Sequence, residues 1–215
     1  MSTTSTTTHE AIRVAATANR LWRASDLGVP AAAMSRMYRE GALERIVPGV
    51  YLGADHAHHP LTEAAAWTLK HPYAVVGLLT AAVFHDLTDA FSGGTWLFVP
   101  KGLSPPRSST SPVQVVQTAP RFIDPDEDDA NGVISLTVHG VCVRVTEPDR
   151  TTLDLWRYPQ HISAEHALQA LRRRVEAPDF HLPALARLGK RLDRLGGHVS
   201  VWPRVEPVLQ GLMLR

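Results

Sequence analysis

The spacing of apolar positions over the N-terminal quarter of the chain predicts three helices followed by a β-hairpin. Small and aliphatic side chains recur every three to four residues across residues 9–22, which is typical of an amphipathic helix. Ser25 can cap a very short second helix that Gly28 ends, and a third helix follows over residues 30–40. Two β-prone runs then flank a Pro-Gly turn within residues 43–52. This order of elements predicts a winged helix-turn-helix.

In the rest of the chain, segments with helical spacing of apolar residues alternate with segments typical of β-strands. Helical spacing predicts helices over residues 61–70, 77–85, 148–157, 163–175 and 182–195 and from residue 202. Runs of β-branched and aromatic residues predict strands over residues 95–99, 113–117, 133–138 and 141–146. The predicted fold class is α+β, with an N-terminal winged helix-turn-helix followed by a mixed α/β C-terminal domain with a small sheet and flanking helices.

Local composition suggests where the domains begin and end. Residues 1–8 are almost all Ser and Thr and predict a flexible tail. The winged helix-turn-helix is expected over residues 9–53, a His-rich linker over residues 54–60, and the α+β domain over residues 61–215. An acidic segment within the second domain, residues 124–131, is expected to be a solvated, disordered loop.

Composition excludes several classes of protein. With 44% hydrophobic residues, the chain can bury a real core. The single cysteine, Cys142, excludes a disulfide framework and a zinc site built on several thiolates. The start of the sequence has no signal-peptide pattern, and no apolar run is long enough for a membrane helix. We therefore expect a cytoplasmic protein with no membrane partner.

The balanced net charge of +1 hides an uneven distribution. Residues 1–53 carry six Lys and Arg against four Asp and Glu, and residues 136–215 carry twelve against eight. The middle, residues 54–135, carries four against nine. Any contact with nucleic acid is therefore expected to be local to one end of the chain.

The helix over residues 30–40 has the features of a DNA recognition helix. Met34, Met37 and Tyr38 form its predicted core face. The opposite face combines small side chains, which permit close approach, with arginines for phosphates or base edges. An ordinary amphipathic surface helix is the alternative. The candidate DNA-binding residues, including one in the predicted wing, are Ala31, Ala32, Ser35, Arg36, Arg39 and Arg45.

A second basic surface is predicted near the C-terminus. Leucines at spacings of three and four mark the core face of the helix over residues 182–195, and its basic residues fall on the other side. This surface fits docking of an acidic protein or a phosphate-bearing ligand, or is merely solvated. Its members are Arg172, Arg173, Arg187, Lys190, Arg191 and Arg194, with Arg174 as additional charge.

Signals of catalysis or of cofactor binding do not occur in the sequence. The cluster of His56, His58 and His59 has no paired cysteines and no HExxH motif, so we expect loop histidines and no metal. Glycine signatures for nucleotides and the Gly-x-Ser-x-Gly elbow are not found. In the strand that could carry a nuclease centre, Val99 occupies the place of the metal-binding acid. We expect no enzyme activity and no cofactor.

Three stretches resemble the AbiEi-type antitoxin family. The first runs from Gly28 to Tyr51 and ends in GALERIVPGVY at residues 41–51, the second reads AAVFHDLTD at residues 81–89, and the third and most specific reads VTEPDRTTLDL at residues 145–155. The resemblance implies a winged helix that binds its own operator, typically at inverted repeats. It also implies a C-terminal domain that neutralises a nucleotidyltransferase-like toxin, directly or functionally. Within the third stretch, the spacing of Arg150 and Asp154 predicts an ion pair that braces a helix, with toxin contact as the alternative.

These observations together predict an antitoxin that represses its own operon. The alternative is a stand-alone winged-helix regulator whose C-terminal domain senses a ligand or dimerises. A third hypothesis is an enzyme that modifies the toxin covalently, for which the sequence offers no recognisable nucleotide-binding loop.

Overall fold

The chain folds as two units in a computed structural model that describes residues 10–11, 13–197 and 199–214. The first unit comprises the described residues up to Pro72, together with Pro106–Pro112 and Leu136–Val143. The second comprises Tyr73–Pro105, Val113–Ser135 and the described residues from Arg144 onward. The fold class is α+β, as predicted from the sequence.

The first unit has the order of elements expected of a winged helix. Residues 10–11 and 13–17 are helical. The elements that follow are a 3-10 helix (Ala24–Leu27), α1 (Ala31–Arg39), β1 (Leu43–Val47), β2 (Val50–Gly53) and α2 (Thr62–Lys70). β1 and β2 are antiparallel, with Arg45 opposite Tyr51. Trp22 and Tyr51 exchange two backbone hydrogen bonds of 2.9 Å, which joins the strand pair to the segment before the 3-10 helix.

Apolar side chains from α1, from β1 and β2 and from the segments before α1 form one core cluster of the first unit. Met34 and Met37 of α1 are buried with Leu43 of β1, Tyr51 of β2 and Trp22. The 3-10 helix ends at Gly28, whose φ of 62° is the left-handed conformation that glycine adopts without strain. The turn at Gly28 thus sets the direction in which α1 leaves the preceding helix.

The first unit extends beyond the winged-helix boundary expected from composition. α2 packs against β1, so the expected linker at residues 54–60 and the helix after it fall inside this unit. The linker is also hydrogen-bonded, because the His59 backbone N–H donates to Thr62 Oγ1 at 2.8 Å. The Thr62 hydroxyl pairs in turn with His139 Nε2 at 2.8 Å. The prediction of a linker relied on the composition of residues 54–60, and composition does not reveal which of these residues are hydrogen-bonded.

The strands of the second unit belong to a mixed five-stranded sheet of order β5-β4-β3-β7-β6, of which residues 136–143 are counted in the first unit. β4 runs parallel to β5 and antiparallel to β3, which is parallel to β7. Five helices of this unit share one core with the sheet residues Val75, Phe98 and Val116. The elements in chain order are β3 (Val75–Val76), α3 (Leu78–Phe84), β4 (Thr95–Pro100), β5 (Val113–Thr118), α4 (Asp128–Asn131), β6 (Val133–Val138), β7 (Val141–Thr146), α5 (Pro148–Arg157), α6 (Ala164–Glu176), α7 (Leu182–Arg194) and α8 (Trp202–Met213).

The central strand of this sheet, β3, was not predicted. It contains only Val75 and Val76, both completely buried, and pairs with β4 on one side and β7 on the other. Two residues are too few to show a periodicity, so no pattern could identify the strand. Gly77 follows it, and a Cβ there would lie 2.2 Å from the Phe98 ring, so only glycine fits where the chain turns into α3.

The acidic segment at residues 124–131 is ordered, contrary to the prediction of a disordered loop. It forms a 3-10 helix (Pro125–Glu127) followed by α4. Asp128 forms an ion pair with Arg144, and Glu127 forms one with Arg191. Asn131 is completely buried and its side chain donates to the Arg121 carbonyl at 3.0 Å. Two of the five carboxylates of the segment, those of Glu127 and Asp128, are therefore paired with arginines that are distant in sequence.

The predicted pair of Arg150 and Asp154 forms at the centre of α5. Arg150 Nε donates to Asp154 Oδ2 at 2.7 Å, and the side chains are 1% and 0% exposed. Arg150 Nη1 also donates to the Asn131 carbonyl at 2.6 Å. The other side of the carboxylate faces Arg157, whose Nη1 lies 3.6 Å from Asp154 Oδ1. One buried carboxylate thus serves two buried arginines.

Residues Thr146 to Asp149 at the start of α5 have the sequence pattern of a capping box, but no capping box forms. Glu147 is the N-cap and makes no side-chain capping bond, and Asp149 instead pairs with Arg174 of α6. The Thr146 hydroxyl pairs with the Thr151 hydroxyl at 2.7 Å. No helix among the described residues is long and apolar enough to cross a membrane.

We expect Asp154→Ala to destabilise the protein strongly. The change leaves Arg150 and Arg157 as buried charges without a carboxylate, a loss of about 3–5 kcal/mol in systems where a buried pair is broken. Urea unfolding followed by circular dichroism measures it. Asp89→Ala, which breaks an ion pair to Arg173 at an exposed carboxylate, is the control and should shift the midpoint little. Equal shifts for the two variants would contradict this role of Asp154.

Candidate nucleic-acid interface

The outer face of α1 is exposed along its whole length. Met34 and Met37 are buried beneath it, and this fixes which side of the helix faces outward. The predicted residues of the outer face are all exposed: Ala31, Ala32, Ser35, Arg36 and Arg39. The two alanines lie at the N-terminal end and the two arginines in the last turn, so one end of the helix can approach a surface more closely than the other.

The two arginines of α1 make only weak interactions within the protein. Arg36 Nε lies 3.9 Å from Glu40 Oε1, and both side chains are more than half exposed. Arg39 Nε donates to the carbonyl of Ser35, one turn earlier, at 3.4 Å. Exposed ion pairs of this kind contribute little free energy. Both guanidinium groups can therefore turn to an outside partner at small cost.

Arg45 of the wing is held against α1 by an aromatic ring. Its guanidinium carbon lies 5.2 Å from the centroid of the Tyr38 ring, within the range of a cation–π interaction. Tyr38 is 42% exposed, which corrects its predicted place on the core face of α1. Core positions 34 and 37 leave position 38 at the margin of the buried face, where the ring can support Arg45. The helix and the wing thus present their arginines together.

A loop distant in sequence adds to this surface. Residues 106–112 belong to the first unit, and a shallow depression is lined by Arg45, Pro48, Arg107 and the hydroxyl residues Ser108, Ser109 and Thr110. Ser108 Oγ accepts hydrogen bonds from the backbone N–H groups of Thr110, at 3.1 Å, and of Ser111, at 3.0 Å. This local bonding holds the loop in a defined turn beside the wing.

Sequence reasoning missed the contribution of Arg107. The residue is exposed, and no side-chain hydrogen bond or ion pair of it occurs in the part of the chain that the structure describes. Its segment is rich in Ser and Pro, a composition that by itself indicates only a connecting loop. A single arginine within such a stretch is the only signal in the sequence, and it does not indicate where the loop packs.

The carboxylates of this region have partners of their own. Glu44 on β1 pairs with His58 Nε2 at 2.8 Å, and Glu40 lies near Arg36. Burial, together with the charges of the neighbouring histidines, lowers the pKa of His139. Among the described residues, no group of three His, Cys, Asp or Glu side chains is placed to hold a metal ion.

The basic residues predicted near the C-terminus divide by their partners. Arg173 pairs with Asp89 and also donates to the Asp86 carbonyl, and this guanidinium lowers the pKa of the Asp89 carboxyl. Arg191 pairs with Glu127, and Lys190 Nζ lies 5.8 Å from the centroid of the Trp202 ring. Three members are exposed and have no side-chain partner among the described residues: Arg172, Arg187 and Arg194.

Arg174 does not add charge to the surface as predicted. It is 6% exposed and forms ion pairs with Asp149 and Asp179. Its guanidinium lowers the pKa of the exposed Asp179 carboxyl. On α7, by contrast, Arg187, Lys190, Arg191 and Arg194 occupy one stripe at spacings of three and four, opposite the buried Leu185, Leu188 and Leu192.

Comparisons with known proteins bear on the fold. The structure is similar to the crystal structure of the RV2827C protein from Mycobacterium tuberculosis, with a TM-score of 0.63 and 16% sequence identity, over 96% of this chain and 77% of that chain. No family model and no curated protein matches the sequence. At this level of identity the likeness shows a common fold and carries no statement about function.

Proposed function

We propose that the protein is a transcriptional repressor that binds operator DNA through α1 and the wing. The observation that supports this function best is that α1 and the wing of the first unit carry exposed arginines on adjoining surfaces. The exposed face of α1 carries Arg36 and Arg39, and the adjoining wing carries Arg45 supported by Tyr38. A helix with small residues at one end and arginines at the other, next to a hairpin, matches how winged helices meet duplex DNA.

In this proposal α1 enters the major groove with its N-terminal end foremost. Ala31 and Ala32 have short side chains, so the backbone can come close to base edges and to thymine methyl groups. Arg36 and Arg39 contact phosphates, and Ser35 can donate to either a phosphate or a base. Arg45 reaches the backbone or the minor groove beside the wing.

Most of the binding free energy is then electrostatic. Few side chains on the outer face of α1 can read bases, whereas three arginines can neutralise phosphates. Contacts to phosphates release condensed counterions, so affinity falls steeply as salt rises. Sequence preference comes from the close approach of the alanine end and from DNA shape.

We expect Arg36→Ala with Arg39→Ala to weaken operator binding and to flatten its salt dependence. Each lost phosphate contact lowers the slope of log K against log salt by about 0.9, so the double variant should lose about 1.8. Fluorescence anisotropy on the DNA upstream of the gene, against scrambled DNA, measures both quantities.

The matched control for this pair is Arg187→Ala with Arg194→Ala. It removes the same charge from α7 in the second unit, at residues without side-chain partners in the described part of the chain. Affinity and salt slope should remain those of the natural protein. If the α1 variant behaves like this control, α1 does not contact the DNA.

Arg107 provides a separate test of the loop beside the wing. We expect Arg107→Ala to lower the salt slope by about 0.9, with a similar loss of affinity on operator and scrambled DNA, because a phosphate contact carries no sequence information. The same titration measures it, with Arg172→Ala as the control. An unchanged slope would exclude the loop while leaving the role of α1 intact.

We further propose that the repressor is the antitoxin of a nucleotidyltransferase-like toxin. Two observations support this: the three stretches that resemble AbiEi-type antitoxins, and the basic stripe on α7. Arg187 and Arg194 are its freely exposed members. A basic stripe of this kind suits an acidic surface on a protein partner. The alternative is a regulator without a toxin.

Charge reversal at Arg187 and Arg194 tests the second role. We expect Arg187→Glu with Arg194→Glu to abolish rescue of cells that express a nucleotidyltransferase-like toxin encoded beside this gene, because like charges then face the acidic partner. Operator binding should be unchanged, which shows that the variant is folded. Full rescue by the variant would exclude this stripe from toxin recognition, and the lack of any such neighbouring gene would favour the stand-alone regulator.

A further inference from the structure

The second unit contains a cavity that none of the roles above uses. It has a volume of about 500 Å³, within the range of small-molecule sites. Its wall is formed by the end of β5, the turn at Pro120–Phe122, the end of α5 and the segment after α7. Three of the lining side chains are cationic, Lys101, Arg121 and Arg157, and no Asp or Glu lies among the lining residues described.

Arg157 supplies a buried positive charge to the wall. Its side chain is 6% exposed and its guanidinium carbon lies 3.8 Å from the centroid of the Phe122 ring. Its carboxylate neighbour, Asp154, is already bonded to Arg150, and the 3.6 Å separation from Arg157 Nη1 exceeds a hydrogen bond. Among the described residues, Arg157 Nη1 has no hydrogen-bond partner. Nη1 itself is buried against Asp154 and out of reach of a ligand, so Arg157 adds to the wall the positive charge of a guanidinium that the protein pairs only in part.

The other two cations can reach into the cavity. Arg121 Nε donates to the Leu195 carbonyl, which directs the guanidinium while its terminal nitrogens remain available. Lys101 is exposed, and no side-chain hydrogen bond or ion pair of it occurs in the described ranges. A lysine and an arginine at the mouth, with an arginine in the wall, form the arrangement that captures an anion with several acceptor oxygens.

Neutral hydrogen-bonding groups line the remainder. The Tyr158 hydroxyl donates to Thr118 Oγ1 over a long 3.5 Å, and burial raises the pKa of Tyr158, so the phenol stays protonated. Its oxygen can accept a hydrogen bond from a ligand, and its weakly held proton can turn to one. Gln160 is exposed at the rim. Hydroxyl and amide groups of this kind match the hydroxyl groups of a polar organic ligand.

We propose that this cavity binds a phosphate monoester of a small hydroxylated compound. Three cations and no carboxylate favour a dianion over a carboxylate with a single charge. The phosphate faces Lys101, Arg121 and Arg157, and the hydroxylated part faces Tyr158 and Gln160. The site lies entirely in the second unit and does not depend on the role of α1 in DNA binding.

Isothermal titration of the full chain with inorganic phosphate and with ribose 5-phosphate tests this. We expect both to bind, the ester more tightly because it also contacts the neutral side of the cavity. Lys101→Gln with Arg121→Gln removes two charge-assisted hydrogen bonds and should weaken both ligands by about tenfold or more. Arg157 is not substituted, since its pairing with Asp154 also supports the fold.

Two control pairs locate the binding. Arg172→Gln with Arg187→Gln removes equal charge from α6 and α7, and Arg36→Gln with Arg39→Gln removes it from the proposed DNA face. Both should bind like the natural protein. Equal weakening in all three variants would mean non-specific attraction and would overturn the site. Equal affinity for inorganic phosphate and the ester would overturn the hydroxylated ligand, and no binding of either would overturn the proposal.

Discussion

The second unit depends on one buried carboxylate. Asp154 is completely buried on α5 and faces Arg150 on one side and Arg157 on the other. Charges in such a place are stable only when each has a partner, so the three side chains fix one another and the elements that they touch. Arg150 extends the constraint to the carbonyls of Phe122 and Asn131, which orders the acidic segment. The same carboxylate leaves Arg157 incompletely paired, and this connects the stability of α5 to the cavity beside it.

The first unit rests on a different constraint, the burial of apolar residues by a short helix. Met34 and Met37 must face the core, and this alone turns Arg36 and Arg39 outward. The interaction of Arg45 with Tyr38 then brings the wing to the same surface. No strained backbone or buried charge is needed on this face, which suits a surface whose proposed partner is a polyanion reached through flexible, exposed side chains.

Local sequence patterns predicted most helices and strands, and they failed where the structure of a segment depends on tertiary packing. The hairpin of β6 and β7, the helix at Ala31–Arg39 and the pairing of Arg150 with Asp154 each follow from patterns within a few residues. The strand at Val75–Val76 does not, because its strand character comes from neighbours on both sides. The acidic segment was predicted to be disordered because the arginines that pair with Glu127 and Asp128 lie elsewhere in the chain.

By itself, the sequence determined the α+β class, the order of elements and the face of α1 that carries arginines, since periodicity and capping act between residues close along the chain. Tertiary structure alone decided that Arg107 lies beside the wing, that Arg174 is buried, and that Lys101, Arg121 and Arg157 line one cavity. These residues are far apart in sequence, and only the packing of the helices and the pairing of strands bring them together. The periodicity of the sequence therefore specified which side chains face outward, and the tertiary fold specified which of these side chains lie next to one another.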